Sequence, residues 1–274
     1  MLKRSIAGIF IVGITVAFLA LRLIDVRFFN LFVFGLALIS AIEMVKAFDG
    51  NITKIDKVLV IVYPCLIYPI ATFFPQIMVR ISVFYLIIAL IVSILLNPNK
   101  SLNSVTGTMF CMFYPSAPLL SLIMLNYLGE ISWLVLILAF TTTAFTDVGA
   151  YLVGSAFKGK KLCPEISPNK TISGAIGGLI GGVMASFITF YTLKALNVAV
   201  FNATIFSTIL FLIMSGILFS ITTQAGDLFE SYLKRRLGIK DMGKLIPGHG
   251  GMLDRIDGLV FTAFATFVLY SFLI

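Results

Sequence analysis

Long apolar stretches, separated by short polar segments, make up most of the chain. Nine of them occur, at about residues 5–21, 28–47, 58–75, 77–96, 106–128, 131–153, 171–193, 201–223 and 256–274. An α-helix needs about 17–25 apolar residues to cross a bilayer, and each stretch has about this length. The pattern therefore predicts an all-α, polytopic membrane protein with about nine transmembrane helices. Kinks are expected in the third and fifth stretches, which contain Pro64, Pro69, Pro115 and Pro118.

The composition excludes an ordinary soluble domain. Of the 274 residues, 59% are hydrophobic and 12% are charged, whereas soluble domains contain about 25% charged residues. We expect one integral membrane domain over residues 1–274, in which residues 1–130 form chemically plain spans and residues 131–274 carry the polar loops. Because no soluble domain is expected to carry it, binding to nucleic acid is not predicted.

The basic residues predict the orientation in the membrane. With the N-terminus in the cytoplasm and nine alternating spans, 16 of the 20 lysines and arginines fall on the cytoplasmic side and four on the other. Basic loops stay in the cytoplasm, so we expect the N-terminus inside, the C-terminus outside, and location in the cytoplasmic (inner) membrane. The net charge of +8 then forms a one-sided field that suits anionic lipid headgroups or a polyanionic substrate.

Acidic residues differ between the two halves of the chain. In the N-terminal half they lie at or near span ends, where solvation explains them, and no role is predicted for Asp25, Glu43, Asp49, Asp56 and Glu130. Asp147 instead follows 16 residues of an apolar span. An acid at such a depth costs about 2–3 kcal/mol on insertion scales, so it should face protein, water or a cation. An aspartate that reaches the surface from near a helix end is the alternative.

The segment "SPNKTISG" precedes the seventh apolar stretch. A helix N-terminus presents unpaired N–H groups and a partial positive charge, so Lys170, Thr171 and Ser173 could form a phosphate cradle there. A basic loop that only sets the topology is an equal alternative. Glycines then recur at helical spacing, which favours close helix packing over ligand binding; they are Gly174, Gly177, Gly178, Gly181 and Gly182.

A third polar group follows the eighth apolar stretch. Asp227, Glu230, Ser231 and Lys234 are spaced i, i+3, i+4 and i+7, which places them on one face of a helix that continues from this span. Gly238 is a suitable residue to end that helix. An amphipathic surface helix would also produce the pattern, but such helices usually carry basic residues along their polar face.

The segment "KDMGKLIPGHGGMLDRIDG" is rich in glycine and leads into the last apolar stretch. Asp254 and Asp257 are spaced i and i+3, so two acids share one helix face and repel unless a cation lies nearby. His249 is the single histidine, and we expect it to contact substrate or order the loop. Four carboxylates near cytoplasmic span ends, beside many lysines, predict Mg²⁺-dependent phosphoryl or nucleotidyl transfer; they are Asp147, Asp227, Asp254 and Asp257.

These residues resemble the signature of the CTP:phosphatidate cytidylyltransferases, also called CDP-diacylglycerol synthases. The matching run extends over about 27 residues, from Ser231 through "HGG" at 249–251 and "DR" at 254–255 to Asp257. The segments "DVGAYLVG", "SPNKTISG" and "QAGDLFES" also resemble blocks of this family. The resemblance is strong over about residues 140–260, and the earlier spans are similar only as generic membrane helices.

The resemblance implies synthesis of CDP-diacylglycerol and pyrophosphate from CTP and phosphatidic acid at the cytoplasmic membrane face, with Mg²⁺ at two cation sites. The implied catalytic residues are Asp227, Asp254, Lys234 and Arg235. The implied substrate-binding residues are Lys170, Ser173, Ser231, Lys240, His249 and Arg255. The implied metal ligands are Asp227 and Asp254, helped by Asp147 and Asp257.

Alternative functions give different expectations. A related polyprenol or phytol kinase is the nearest enzyme, and labelled CTP with either lipid would separate the two activities. An anion transporter would more often show an inverted repeat and mid-membrane broken helices, and the sequence shows no such repeat. A CDP-alcohol phosphatidyltransferase would need an aspartate-rich motif that the chain lacks. Besides CTP, phosphatidic acid and membrane lipids, a second subunit is an expected partner, through the glycine strip or the N-terminal spans.

Overall fold

The structure is a computed structural model that describes residues 2–198, 204–245 and 250–271, with the side chains of residues 2–10 left out of the description. Within these residues the chain forms ten α-helices, a short 3₁₀ turn at Gly129–Ile131 and one β-hairpin. The helices are α1 Leu2–Leu21, α2 Val26–Ala47, α3 Lys54–Phe73, α4 Met78–Leu95, α5 Leu102–Phe113, α6 Ser116–Asn126, α7 Ser132–Phe157, α8 Ile172–Ala195, α9 Ile205–Arg236 and α10 Leu253–Ser271.

The helices confirm the prediction of an all-α, polytopic membrane protein. Within the described residues, seven segments are long and apolar enough to cross a bilayer: α2, α3, α4, α5 with α6, the 3₁₀ turn with α7, α8 and α9. The other two predicted stretches are also helical, as α1 and α10. α10 falls outside the seven because three charged residues lie within its first five positions.

Local sequence signals explain where several helices begin and break. Asp25, Thr53 and Ser101 are N-caps whose side chains accept backbone N–H groups of the first turn. α3 continues through both of its prolines, whereas the fifth apolar stretch is divided into α5 and α6 just before and after Pro115. A proline removes a backbone donor and crowds the preceding turn, so a break at this point is expected.

The β-hairpin is a feature that the sequence analysis did not predict. β1, Lys161–Cys163, pairs antiparallel with β2, Ser167–Thr171. Lys161 lies opposite Thr171, and β2 runs directly into α8. The lysine-rich loop is therefore ordered by backbone hydrogen bonds that its sequence, without alternating apolar residues, does not signal.

The chain divides into two compact units. The first comprises Met1–Met124 and Leu237–Arg255, and the second comprises Leu125–Arg236 and Ile256–Ile274. The core of the first unit contains large side chains with almost no exposed surface, among them Phe29, Met44, Tyr63, Ile67 and Tyr68. In the second unit a buried apolar cluster joins α7, α8 and α9; it consists of Leu134, Leu138, Phe190, Leu193, Leu212 and Phe219.

A buried ion pair lies within the first unit. Asp56, predicted to be solvated, is 0% exposed, and its Oδ2 is 2.5 Å from Lys100 Nζ. Ser93 Oγ donates to Asp56 Oδ1 at 2.6 Å, and Lys100 Nζ also donates to Thr108 Oγ1 at 3.0 Å. The solvated interpretation of Asp56 was wrong, because the loop before α5 brings a lysine to it across 44 residues.

Glycines allow the closest helix contacts in the second unit. A Cβ on Gly149 would lie 2.5 Å from Gly177 O, and one on Gly181 would lie 2.4 Å from Phe145 O. A Cβ on Gly182 would lie 2.8 Å from Gly216 O, which joins α8 to α9. The glycine strip therefore serves helix packing, as predicted, because only hydrogen side chains permit backbones to approach so closely.

We expect Asp56→Asn to destabilise the protein strongly. The substitution leaves the buried Lys100 ammonium without its carboxylate, and breaking a buried pair costs about 3–5 kcal/mol. Thermal unfolding in detergent measures the loss. The control is Asp49→Asn, because Asp49 pairs with Lys57 at an exposed position and its loss should barely move the midpoint. Equal midpoints for both variants would contradict the structural role of the buried pair.

We expect Gly181→Ala to destabilise the second unit by about 1–3 kcal/mol, the usual cost of overpacking. The added methyl group would meet a backbone oxygen, which can give way only if the helix moves. Gly35→Ala in α2 is the matched control, because a Cβ there meets nothing within 4 Å, and alanine favours a helix more than glycine does. Detergent melting curves in which Gly181→Ala matches Gly35→Ala would refute this packing argument.

Candidate active site

Three acids from three helices form an electrostatic cluster in the second unit. Asp147 belongs to α7, Asp227 to α9 and Asp257 to α10. The carboxylate of Asp257 interacts with those of Asp227 and Asp147 and with the ammonium group of Lys234. The structure thus brings together three of the four predicted metal-binding acids.

Close backbone packing positions this cluster. A Cβ on Gly226 would lie 2.5 Å from Asp257 O, so α9 and α10 touch immediately beside the two acids that they carry. Gly258 N donates to Asp257 Oδ1 at 2.7 Å, which orients the carboxylate. A Cβ on Gly258 would meet the Thr223 side chain at 2.8 Å. Small residues therefore set the short distance between the helices that carry the acids.

Lys170 reaches the acid cluster from the β-hairpin. Its Nζ lies 2.7 Å from Asp227 Oδ2, and the two side chains are 23% and 37% exposed. Asp227 is therefore more exposed than Asp56, whose side chain is 0% exposed, but the Lys170 nitrogen of the pair is itself buried. The exposed part of the Lys170 side chain is its aliphatic stem, whereas its ammonium group faces Asp227.

Thr171 and Ser173, the other residues of the predicted phosphate cradle, form hydrogen bonds to the neighbouring backbone. Thr171 is the N-cap of α8, and its Oγ1 accepts from Gly174 N at 3.1 Å. Ser173 Oγ donates to Lys158 O. The hydroxyl groups thus order the start of α8, and Lys170 is the residue of this segment that contacts the acid cluster.

The last turns of α9 carry the predicted polar face. α9 continues unbroken to Arg236, and Gly238 follows with φ of +68°, as expected for a helix stop. Lys234 Nζ donates to Glu230 Oε1 at 2.9 Å, and Glu230 is fully buried. Arg235 Nε donates to Ile166 O at 3.4 Å, and thereby contacts the turn of the β-hairpin. The sequence analysis placed Glu230 on the polar face of this helix but assigned no role to it.

Asp254 lies in the first unit, where it orders the glycine-rich segment. It is 9% exposed, and its Oδ2 accepts from Met242 N at 2.9 Å and from Gly251 N at 2.8 Å. Gly250 has φ of +85°, and a Cβ there would lie 2.7 Å from the same oxygen. The carboxylate therefore joins two backbone segments that are nine residues apart in sequence.

Glu43 is a site residue that the sequence analysis missed. It was interpreted as a solvated acid near a span end, which was wrong, because it is 4% exposed. Its Oε1 accepts from Met252 N at 2.9 Å and its Oε2 from Leu253 N at 2.8 Å. The available signal was the position of an acid inside an apolar stretch, which is the signal that identified Asp147.

Other predicted site residues have different surroundings. Lys240, Arg235 and Arg255 are exposed, and Ser231 is half-buried. His249 lies outside the described residues. Lys240, Asp254 and Arg255 belong to the first unit, as does Glu43, whereas the other predicted site residues among the described ones belong to the second.

The described acids can contribute to a cation site without forming a complete cage. Among residues 2–198, 204–245 and 250–271, no group of three or more histidines, cysteines, aspartates or glutamates is arranged to hold a metal ion. Mg²⁺ is often held by one or two carboxylates together with water and substrate phosphates. The open Asp227 carboxylate and its neighbour Asp257 fit this second arrangement.

Comparison with known proteins identifies the class to which these features belong. The model of the Cytidylyltransferase family matches residues 2–273, and the chain belongs to this family. A phosphatidate cytidylyltransferase of Brucella suis biovar 1 (strain 1330) is 39% identical over 155 residues, which are 56% of this chain and 52% of that protein.

Two further relatives have the same name. The phosphatidate cytidylyltransferase of Thermotoga maritima is 41% identical over 137 residues, which cover 50% of this chain and 49% of the relative. That of Mycobacterium bovis is 41% identical over 128 residues, which cover 47% and 38%. The chain thus spans about half the length, or less, of the curated relatives it matches.

Proposed function

We propose that this protein is a CTP:phosphatidate cytidylyltransferase, which makes CDP-diacylglycerol and pyrophosphate from CTP and phosphatidic acid. The observation that carries the proposal is the acid cluster of the second unit, in which Asp227 pairs with Lys170 and Asp257 interacts with Lys234. Membership of the Cytidylyltransferase family and the names of the relatives support the same reaction.

In this reaction the protein mainly positions the substrates and neutralises the charge on their phosphates. A phosphate oxygen of phosphatidic acid attacks the α-phosphorus of CTP and forms the new P–O bond. The bond between the α-phosphorus and the oxygen that bridges to the β-phosphorus breaks, and the electron pair leaves with pyrophosphate. Basic side chains stabilise the negative charge that moves onto the leaving group.

Lys170 and Asp227 have complementary roles in this proposal. A substrate phosphate binds the Lys170 ammonium group by taking the place of the Asp227 carboxylate, against which the buried nitrogen lies at 2.7 Å. When a phosphate binds Lys170, a carboxylate oxygen of Asp227 becomes free to bind a cation. Lys234, held by Glu230 at the end of α9, and Arg235 bind further phosphate oxygens.

Mg²⁺ is the cofactor that we propose. Asp227 and Asp257 would hold it, with Asp147 beside them. A role of Asp254 in metal binding rests on the family resemblance alone. Bound Mg²⁺ supplies Lewis-acid neutralisation of the phosphate oxygens at which charge develops. The side chains of the chain itself then orient the two anionic substrates and limit the access of water.

The orientation in the membrane completes the proposal. We place the site at the cytoplasmic face of the inner membrane, with the N-terminus inside, on the basis of the one-sided distribution of lysines and arginines. We further propose a homodimer. Because the glycine strip is used for packing within the chain, subunit pairing would use the N-terminal spans.

The direct test is an assay of the purified protein with labelled CTP, phosphatidic acid and Mg²⁺. We expect labelled CDP-diacylglycerol and one pyrophosphate for each molecule formed. A parallel reaction with polyprenol or phytol tests the kinase alternative, which would release CDP and transfer only the terminal phosphoryl group. Lipid phosphorylation without pyrophosphate release would reject the cytidylyltransferase proposal.

We expect Asp254→Asn to lower turnover by orders of magnitude while leaving the fold intact. Both backbone donors contact the same oxygen, Oδ2, so the asparagine carbonyl can accept from both while the negative charge is lost. Losses of this size correspond to several kcal/mol of transition-state stabilisation. Added Mg²⁺ should restore part of the turnover if the charge binds the cation.

Asp49→Asn is the control for Asp254→Asn, since Asp56 is buried in the first unit and is unsuitable. Initial rates over a series of Mg²⁺ concentrations, together with melting curves, measure the effect. Turnover near that of the parent at ordinary Mg²⁺ would remove Asp254 from the metal site. A lowered melting midpoint would instead assign the loss to loop order.

A further inference from the structure

We propose that Glu43 is a positioning residue that, together with Asp254, anchors the glycine-rich backbone at residues 242–243 and 251–253, next to Lys240 and Arg255, to the transmembrane helix α2. The inference rests on the proposed function, since it concerns how CTP is bound. Glu43 is buried in the first unit, and its two carboxylate oxygens accept separately from Met252 N and Leu253 N. One side chain of a membrane helix thus binds the start of α10, which is 209 residues away in sequence.

The glycines next to Glu43 show that the contact is built into the fold. A Cβ on Gly243 would lie 2.3 Å from Glu43 Oε1, and a Cβ on Gly251 would lie 2.5 Å from the same atom. Neither glycine has a positive φ, so backbone conformation does not require glycine at either position. Glycine is required at both positions because the Glu43 carboxylate occupies the space that a side chain would need. Any larger residue would displace Glu43 or the backbone.

Asp254 completes the anchor from within the glycine-rich segment. Its Oδ2 accepts from Met242 N and Gly251 N. The two carboxylates together therefore hold four backbone N–H groups, which belong to Met242, Gly251, Met252 and Leu253. They also repel each other, and Lys46 of α2 offsets part of the charge on Glu43. The four charge-assisted hydrogen bonds stabilise an arrangement that two neighbouring acids would otherwise oppose.

The anchored segments lie directly beside predicted phosphate-binding residues. Lys240 precedes Met242 by two residues, and Arg255 follows Leu253 by two residues. Both side chains are exposed, so the anchored backbone presents them to solvent. By fixing the flanking segments before CTP arrives, Glu43 lowers the entropy lost when the nucleotide is bound. Glu43 does not touch substrate in this scheme, and its effect should appear in CTP affinity.

Glu43→Gln tests the anchor because the two oxygens have different partners. An amide can accept one of the two N–H groups but presents its own N–H to the other. We expect the KM for CTP to rise about 10-fold or more, with a smaller change in the KM for phosphatidic acid and in kcat. Glu43→Ala should have a larger effect. Asp49→Asn, which removes an exposed acid just beyond α2, should match the parent.

Hydrogen exchange gives a second readout that does not depend on activity. In the full-length protein without substrate, the Met252 and Leu253 amides should exchange faster in Glu43→Gln than in the parent or in Asp49→Asn. A parent protein that forms no CDP-diacylglycerol would overturn the proposed function, and the exchange rates would then decide the anchor independently. Unchanged exchange in Glu43→Gln would overturn the anchor whatever the activity.

A double-mutant cycle separates anchoring from a general loss of structure. Gly243→Ala should raise the KM for CTP in the parent, because the methyl group displaces the Glu43 carboxylate. The same substitution should cost little more in the Glu43→Ala background, where that carboxylate is absent, so the two effects should be clearly non-additive. Additive effects, or equal changes in both KM values accompanied by a lower melting midpoint, would overturn the positioning role.

Discussion

Charged side chains in apolar surroundings need ionic or hydrogen-bonding partners, and this need governs much of the structure. A carboxylate that cannot reach bulk water must find a cation, a set of N–H donors or a hydroxyl group, because burial without partners costs several kcal/mol. Three solutions occur in the described residues. Asp56 pairs with Lys100, Glu43 accepts backbone N–H groups, and the fully buried Glu230 accepts from Lys234 at the end of α9.

Exposure to solvent distinguishes the buried acid Asp56 from Asp227, the acid of the candidate active site. Asp56 and Lys100 are closed to solvent and satisfied by several hydroxyl groups, so an anionic substrate has no path to them. The Asp227 side chain is 37% exposed, and its partner Lys170 keeps its nitrogen buried against the carboxylate. An aspartate–lysine pair thus belongs to the buried core in the first unit and to the partly exposed acid cluster in the second.

Helix packing and site geometry depend on the same small residues. Glycines let α7 contact α8 and let α9 contact α10 at distances that any Cβ would prevent. The acids of these helices are consequently near enough to interact. In the first unit Gly243 and Gly251 leave space for a carboxylate in the same way. Glycine acts here mainly by its small volume, and only at positions such as Gly250 by its conformational freedom.

The sequence by itself determined the helical membrane class, the approximate positions of the long apolar helices and the polar face of α9. These properties follow from apolar length and helical period, which are local. The family resemblance and the intramembrane acid Asp147 also came from the sequence alone. Only the tertiary structure decided the partners of the acids, because each partner lies far away in the chain: Lys100 for Asp56, Lys170 for Asp227, and the backbone after Gly251 for Glu43. A local pattern shows that a charge lies in apolar surroundings, where it costs free energy, but only the packed fold shows which group pairs with it.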